Sequence, residues 1–235
     1  MNLEKIFASL ILSVGIFLSG FFIAKSLHFF RDFERSVKVK GLDEKTVKAD
    51  MAILTITFTQ TNPQLNELYK SFSSSQSRIL EFLVSKGIKS TEIEKNAMDI
   101  TESRTSLPKI LQPIVSYSGV SKVIISSSDV DGIKSLSQNT GGLVEKGVLI
   151  TSTDVKFLFT QLNTVKKEML DQAVKNAFEA ASSFATQTKS KLGQIRNASQ
   201  GLFSISDANS TEEWMTTKSI QKKVRVVVAV DYFLE

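Results

Sequence analysis

MAILTITFTQTNPQLNELYKSFSSSQSRILEFLVSKG, residues 51–87, changes its hydrophobic period once, and that change decides the fold. Met51–Thr59 is rich in β-branched residues, as strands are. Asn62-Pro63 then opens a helix, because proline's fixed φ and missing N–H suit the first turn. Leu65, Leu68, Tyr69, Phe72, Ile79, Leu80 and Leu83 recur at helical spacing, and Gly87 ends the run. Strands are expected next around Ala97–Ser103 and Ser116–Ser127, joined by a loop holding Pro108 and Pro113. The segment reads as β-α-β-β.

The same order returns downstream. Val155–Thr160 reads as a strand and Leu162–Lys191 as a long helix terminated by Gly193. On that helix Val165, Met169, Ala173, Ala177, Ala181 and Phe184 make one apolar stripe. Leu202–Ser206 and Lys222–Leu234 follow as strands. The last is apolar on both sides, Val224, Val226, Val228 and Val230 against Val227, Ala229 and Phe233. Such a strand is central in its sheet or sandwiched at a subunit contact. Phe58-Thr59-Gln60 matches Phe159-Thr160-Gln161 at an offset of 101 residues, and each helix is followed by glycine and isoleucine. Between the copies, Val130–Gly147 reads as a short helix and a Gly-rich turn, and upstream Val37 and Val39 mark a short strand ending at Gly41. The expectation is an α+β fold of duplicated β-α-β-β units, helices packed on a mainly antiparallel sheet.

One transmembrane helix is expected to precede this fold. Ile6–Ala24 is nineteen residues without a charge, bounded by Lys5 and Lys25. As a helix it spans roughly 28 Å, close to the hydrocarbon thickness of a bilayer. A cleaved secretory signal is the alternative, but the apolar stretch is long, Glu4 offsets Lys5, and no small-residue cleavage site follows. A retained single-pass anchor is therefore expected. Residues 1–35 make the anchor and juxtamembrane segment, and residues 36–235 one domain that folds as a single unit. Basic residues after the span (Lys25, Arg31, Arg35, Lys38, Lys40) favour a cytoplasmic domain, although long domains translocate despite such flanks.

Composition removes several function classes. Residues 1–40 hold six Lys/Arg and three Asp/Glu, which leaves 23 against 21 for the remainder of a chain whose net charge is +5. Nearly balanced charge argues against a nucleic-acid surface. The absence of cysteine excludes disulfides, thiol catalysis and zinc–thiolate sites. His28 is the only histidine and lies beside the membrane segment, which rules out Ser-His-Asp and multi-His metal arrangements. Asp129-Val-Asp131-Gly132 lacks the glycine and the acid of a calcium loop, with Lys134 and Thr140 at those positions, so Asp129 is read as a helix cap. Gly141-Gly142 and Gly147 are followed by no Gly-Lys-Ser/Thr, so no phosphate loop is read. Glu92, Glu94, Asp99 and Glu102 are read as a solvated face, because carboxylate catalysis needs a cleft. Trp214, in the polar stretch Ser206–Ser219, is either an interface contact or tucked onto its own domain. No catalytic, cofactor-binding or metal-ligating residue is assigned.

Taken in order, an apolar amino-terminal segment, Val37-Lys-Val-Lys-Gly-Leu42, Val47-Lys-Ala-Asp-Met-Ala-Ile53, a long helix closing on Gly87-Ile88-Lys89 before acidic residues, Gln194-Ile195, and the closing Val224–Val230 strand resemble the SIMPL-domain family of bacterial envelope proteins. The resemblance covers roughly Ser36 to Glu235. It implies a non-enzymatic α+β domain exported to the periplasm, forming homo-oligomers and linked to envelope or oxidative stress, with no agreed catalytic residues to carry over. With the anchor, it implies a single-pass protein of the bacterial inner membrane whose domain faces the periplasm, bound to no cofactor and no nucleic acid. The rival expectations are a carboxylate-dependent envelope enzyme and a small-ligand-binding sensor domain.

Overall fold

A computed structural model describes residues 12–23, 25, 35–105, 114–210 and 217–235. His28, Pro108, Pro113 and Trp214, and the two ends of the expected anchor, lie outside the described residues. Residues 12–23 form helix α1. Among the described residues no helix is long and apolar enough to cross a membrane. The chain continues as β1 (Ser36–Lys48), β2 (Met51–Asn62), α2 (Leu65–Ser85), a 3-10 turn (Ser90–Glu92), β3 (Ile93–Lys95), β4 (Asp99–Thr105) and β5 (Ile114–Ser127). Then come α3 (Val130–Gln138), α4 (Gly141–Glu145), β6 (Ile150–Leu158), α5 (Leu162–Gln187), β7 (Leu192–Gln200), β8 (Ser204–Asp207) and β9 (Gln221–Leu234). The fold is α+β with antiparallel sheets. It divides into two compact units, one of Met1–Lys45, Val165–Phe203 and Arg225–Glu235, the other of Thr46–Thr164 and Ser204–Val224.

The second of these units carries the sheet β3-β5-β2-β6, with β4 also paired to β5. Strand β2 is central, and period 2 puts Ala52, Leu54, Ile56 and Phe58 on one face, all fully buried. Helix α2 covers that face with Leu68, Phe72, Ile79, Phe82 and Leu83, and the Phe72 ring stacks on Phe58 at 5.0 Å. The helix ends as its sequence dictates. Gly87 adopts φ 88°, a region costly for any residue with a Cβ. That turn lets the Ile88 N–H reach the Leu83 carbonyl (3.1 Å) and the Gly87 N–H the Val84 carbonyl (2.9 Å). The expected Gly-rich turn is instead a helical one: Gly141 and Gly142 begin α4.

The other unit carries most of the sheet β1-β9-β7 under helix α5. Here the structure corrects three expectations. Strand β1 does not end at Gly41 but runs on to Lys48. Gly41 is required by contact: a Cβ there would lie 1.9 Å from the Ala173 carbonyl oxygen and 2.9 Å from Ala177 Cβ. The apolar stripe of α5 keeps its four-residue step and continues at Ala185, which leaves Phe184, three residues after Ala181, exposed. The helix ends at Gln187, so Gly193 is not its terminator but part of β7, a strand absent from the sequence reading. Strand β9 is central, with Val226, Val228, Val230 and Tyr232 buried and Val227, Ala229 and Phe233 half-buried.

Each copy holds one strand more than the expected β-α-β-β, β2-α2-β3-β4-β5 and β6-α5-β7-β8-β9, and the sheets ignore the boundary between copies. Strand β6, first of the second copy, pairs with β2 from Met51↔Leu158 onward, and β1 takes the place beside β9. The matching Phe-Thr-Gln triplets are not equivalent either. Phe58 is buried inside β2, whereas Phe159 follows the end of β6 and is half-buried.

Candidate functional site

The unit of Thr46–Thr164 and Ser204–Val224 holds a cavity of about 520 Å³ between the end of α2 and the start of α3, bordered by Lys86, Lys89, Glu92, Ser127, Asp129 and Asn139. Backbone geometry explains each polar group. Strand β5 ends at Ser127, and Asp129 caps α3 by accepting the Gly132 N–H at 3.0 Å. The 3-10 turn brings Glu92 back against this corner. Its carboxylate accepts from Ser127 Oγ at 2.7 Å and from the Lys89 N–H at 3.1 Å. Those two bonds, the Ser127 hydroxyl first, hold the Glu92 pKa below the ordinary carboxylate value against the opposing effect of burial. Lys86 Nζ sits 5.6 Å above the Phe82 ring. Among the described residues neither Lys86 nor Lys89 has a carboxylate within ion-pair distance.

The corner places Lys86 and Lys89, the Glu92 carboxylate and the Ser127 hydroxyl around one cavity. A proton donor near neutrality needs a carboxyl whose pKa is raised. Glu92 is shifted the other way, and Ser127 spends its hydroxyl hydrogen on Glu92. The four acids singled out in the sequence do not converge. Glu94 lies on β3 opposite Ile124, while Asp99 and Glu102 point to opposite faces of β4, where Glu102 pairs with Arg104. Glu92 and Asp129 instead border the same cavity, each bonded to Ser127, at a corner made by elements far apart in sequence, so no local spacing announces it. Among the described residues no group of His, Cys, Asp and Glu fits a metal ion.

A second polar feature lies in the same unit. Lys222 is 1 % exposed and its ammonium binds the Asp207 carboxylate. Burial pushes the Asp207 pKa up, but the Lys222 bond and the backbone N–H groups of Ser219 and Lys218 outweigh it, and the net shift is downward. The backbone N–H of Lys218 donates to Asp207 Oδ2 at 3.0 Å, and the Phe157 N–H donates to the Thr217 carbonyl at 2.7 Å. The pair thus fastens the end of the 208–220 segment to its sheet. Sequence did carry a signal for Lys222: it shares the parity of Val224 and Val226 on β9.

No curated protein is similar enough to this chain to match it. Residues 37–232, nearly all of the chain after α1, match the model of the SIMPL family, described as a protein of unknown function (DUF541), and the chain belongs to that family.

Proposed function

We propose that this chain is a membrane-tethered interaction module of the bacterial periplasm that associates with copies of itself and performs no catalysis. The observation that carries the tether is helix α1. Every residue from 12 to 23 is exposed, Phe17 to 76 %, and the apolar run reaches back to Ile6. In water each exposed Leu, Val, Ile or Phe side chain of this helix forgoes roughly 1.5–3 kcal/mol of burial, and a bilayer supplies the missing cover. The periplasmic side is what the resemblance to bacterial envelope proteins implies, and it runs against the basic flank after the span. Protease added to spheroplasts tests it: the domain is expected to be digested without lysis, and protection until lysis refutes the orientation. A deletion strain is expected to be more sensitive to oxidative or envelope-damaging agents, and unchanged survival removes the stress link.

The cavity beside Glu92 supports a second reading, a sensor for a small polar ligand. Lys86 and Lys89, which among the described residues have no carboxylate within ion-pair distance, line a volume large enough for such a ligand. Native mass spectrometry of the purified full chain is expected to detect a retained small molecule that Lys86→Ala and Lys89→Ala release together. A bare protein mass from cells and after incubation with anionic metabolites ends that reading. The carboxylate-enzyme alternative has the weakest support, since the acids at the cavity are fixed by internal bonds.

A further inference from the structure

We propose that the free edge of β7, with the flank of α5 beside it, is the surface on which two copies of this chain join, β7 pairing antiparallel with its own counterpart. The inference rests on the self-association proposed above and names its surface. All its elements belong to the unit of Val165–Phe203 and Arg225–Glu235.

Strand β7 is the last strand of the order β1-β9-β7, so among the described residues one side of its backbone has no strand partner. Unpaired N–H and C=O groups on such an edge recruit another strand unless something blocks it. Other edges are blocked. Strand β1 carries six charges in thirteen residues, Lys38, Lys40, Asp43, Glu44, Lys45 and Lys48, a density that blunts an edge. Strand β6 has its Phe157 N–H taken by Thr217. Strand β4 packs Asp99, Glu102 and Arg104 into seven residues. From Gln194 to Gln200, by contrast, β7 has Arg196 as its single charge, with Asp231 of the neighbouring strand 3.9 Å away.

An apolar strip runs beside this edge. Ile195 pairs in register with Tyr232, so both lie on the face turned to α5. Tyr232 is buried and meets the Phe178 ring edge-on at 6.2 Å. Yet Phe178 is 51 % exposed and Ile195 56 %, with Val174, one helical turn before Phe178, also exposed. The flank of α5 toward β1 is occupied differently, by Asn176 donating to the Leu42 carbonyl at 2.7 Å. Helix and edge strand therefore bound an open apolar groove.

A second copy is the occupant that fits. Antiparallel self-pairing of the uncharged stretch Asn197–Gln200 opposes no like charges, sets the exposed Ile195 of each copy across from the exposed Leu202 of the other, and keeps both α5 helices on one face. One strand pair buries less than the roughly 800 Å² per partner of a standard free complex. Confinement of both copies to a membrane plane offsets that shortfall by raising their effective concentration.

The absence of cysteine makes the test clean. Ser199→Cys on β7 and, separately, Lys40→Cys on β1 are introduced in the full chain, held in membranes and treated with a short bismaleimide. The expected result is a covalent dimer from Ser199→Cys, at least tenfold less from Lys40→Cys, and a tenfold loss when Ile195→Lys is added. Ile195→Val is expected to retain the crosslink, and an unchanged circular-dichroism spectrum of each purified variant confirms its fold. Equal crosslinking of Ser199→Cys with and without Ile195→Lys overturns the proposal, as does a product with the mass of a different protein. If Lys40→Cys crosslinks and Ser199→Cys does not, self-association stands and β7 is the wrong surface. If neither crosslinks and the protein sediments as a monomer, self-association itself fails.

Discussion

Helices α2 and α5 each lie on a sheet, yet they do so with side chains of opposite size. Under α2 the layer is made of Phe58, Phe72, Ile79, Phe82, Leu83 and Ile125. Under α5 it is Met169 and four alanines, Ala173, Ala177, Ala181 and Ala185, with Gly41 on the strand beneath. Large side chains keep a helix off its sheet and fill the space between, whereas alanines let the two backbones approach until a single Cβ no longer fits. The difference has a second effect. The layer under α2 buries Leu68, Phe72, Ile79, Phe82 and Leu83 and leaves Leu65, Tyr69 and Val84 exposed. Of the large apolar side chains of α5, by contrast, only Met169 is buried, and Val174, Phe178 and Phe184 are exposed along the alanine seam. Thus the thin layer is tight at its centre and open at its flanks.

The two layers are expected to fail in different ways. Phe58→Ala, which removes a fully buried ring stacked on Phe72, is expected to cost about 4 kcal/mol. Urea unfolding checks it, and a loss below 1 kcal/mol would mean the aromatic layer collapses to refill the space. The same titration tests whether residues 36–235 unfold together, as we propose. One transition is expected, because β1, α5 and β9 each contribute residues to both units; two separated transitions would mean that the units melt independently.

Breaking the Lys222–Asp207 pair comes next. Lys222→Met leaves the Asp207 carboxylate without its ammonium, at an expected cost of about 3 kcal/mol. The pH dependence has a definite sign. The folded pKa of Asp207 lies below its ordinary value of 3.8, so the stabilisation is complete above that value and is lost as pH falls through the folded one. Wild type is therefore expected to lose stability on acidification over this range more steeply than Asp207→Asn. Parallel slopes in thermal melts between pH 5 and pH 2.5, on the order of the carboxylate range, would show that the pair contributes nothing to acid sensitivity.

Gly41→Ala probes the thin layer, with an expected loss of about 2–3 kcal/mol from overpacking. The nearest obstacle to the new methyl is the Ala173 carbonyl oxygen, a backbone atom, so trimming Ala177→Gly is expected to give no rescue. Full rescue would mean that α5 shifts easily and that the alanine seam is less tight than its spacing implies.

What could be read from the sequence follows the same division. The thick layer was legible, because Ala52 to Phe58 alternate and Leu68 to Leu83 recur at helical spacing with turn signals at Pro63 and Gly87. The thin layer was legible only in part. A glycine inside a strand reads as a strand end, since the helix backbone that demands it comes more than a hundred residues later. Strand β7 was missed because an edge strand with exposed faces has no reason to alternate, and Gln194, Arg196, Asn197, Ser199 and Gln200 show no period. The cavity was not legible as a site. Of its polar groups only Asp129 was assigned its role as a cap, and the bond between Ser127 and Glu92 joins residues 35 apart.

The smallest expected effect concerns that cap. Asp129 accepts the Gly132 N–H at 3.0 Å and begins α3, whereas Gln64 before α2 and Thr140 before α4 make no such side-chain bond. Asp129→Ala is therefore expected to cost about 1 kcal/mol, and Asp129→Ser much less, since a hydroxyl accepts the same N–H. The substitution touches only the thick-layer unit, so its cost should add to that of Gly41→Ala within experimental error, as it does for sites that share no partners. A double variant measured by urea unfolding checks both points. A cost near zero would mean that water satisfies the first turn of α3 as well as Asp129 does. A cost well above 2 kcal/mol would mean that losing the cap also displaces the backbone N–H of residue 129 from Ser127 Oγ, which accepts it at 3.2 Å in the wild type.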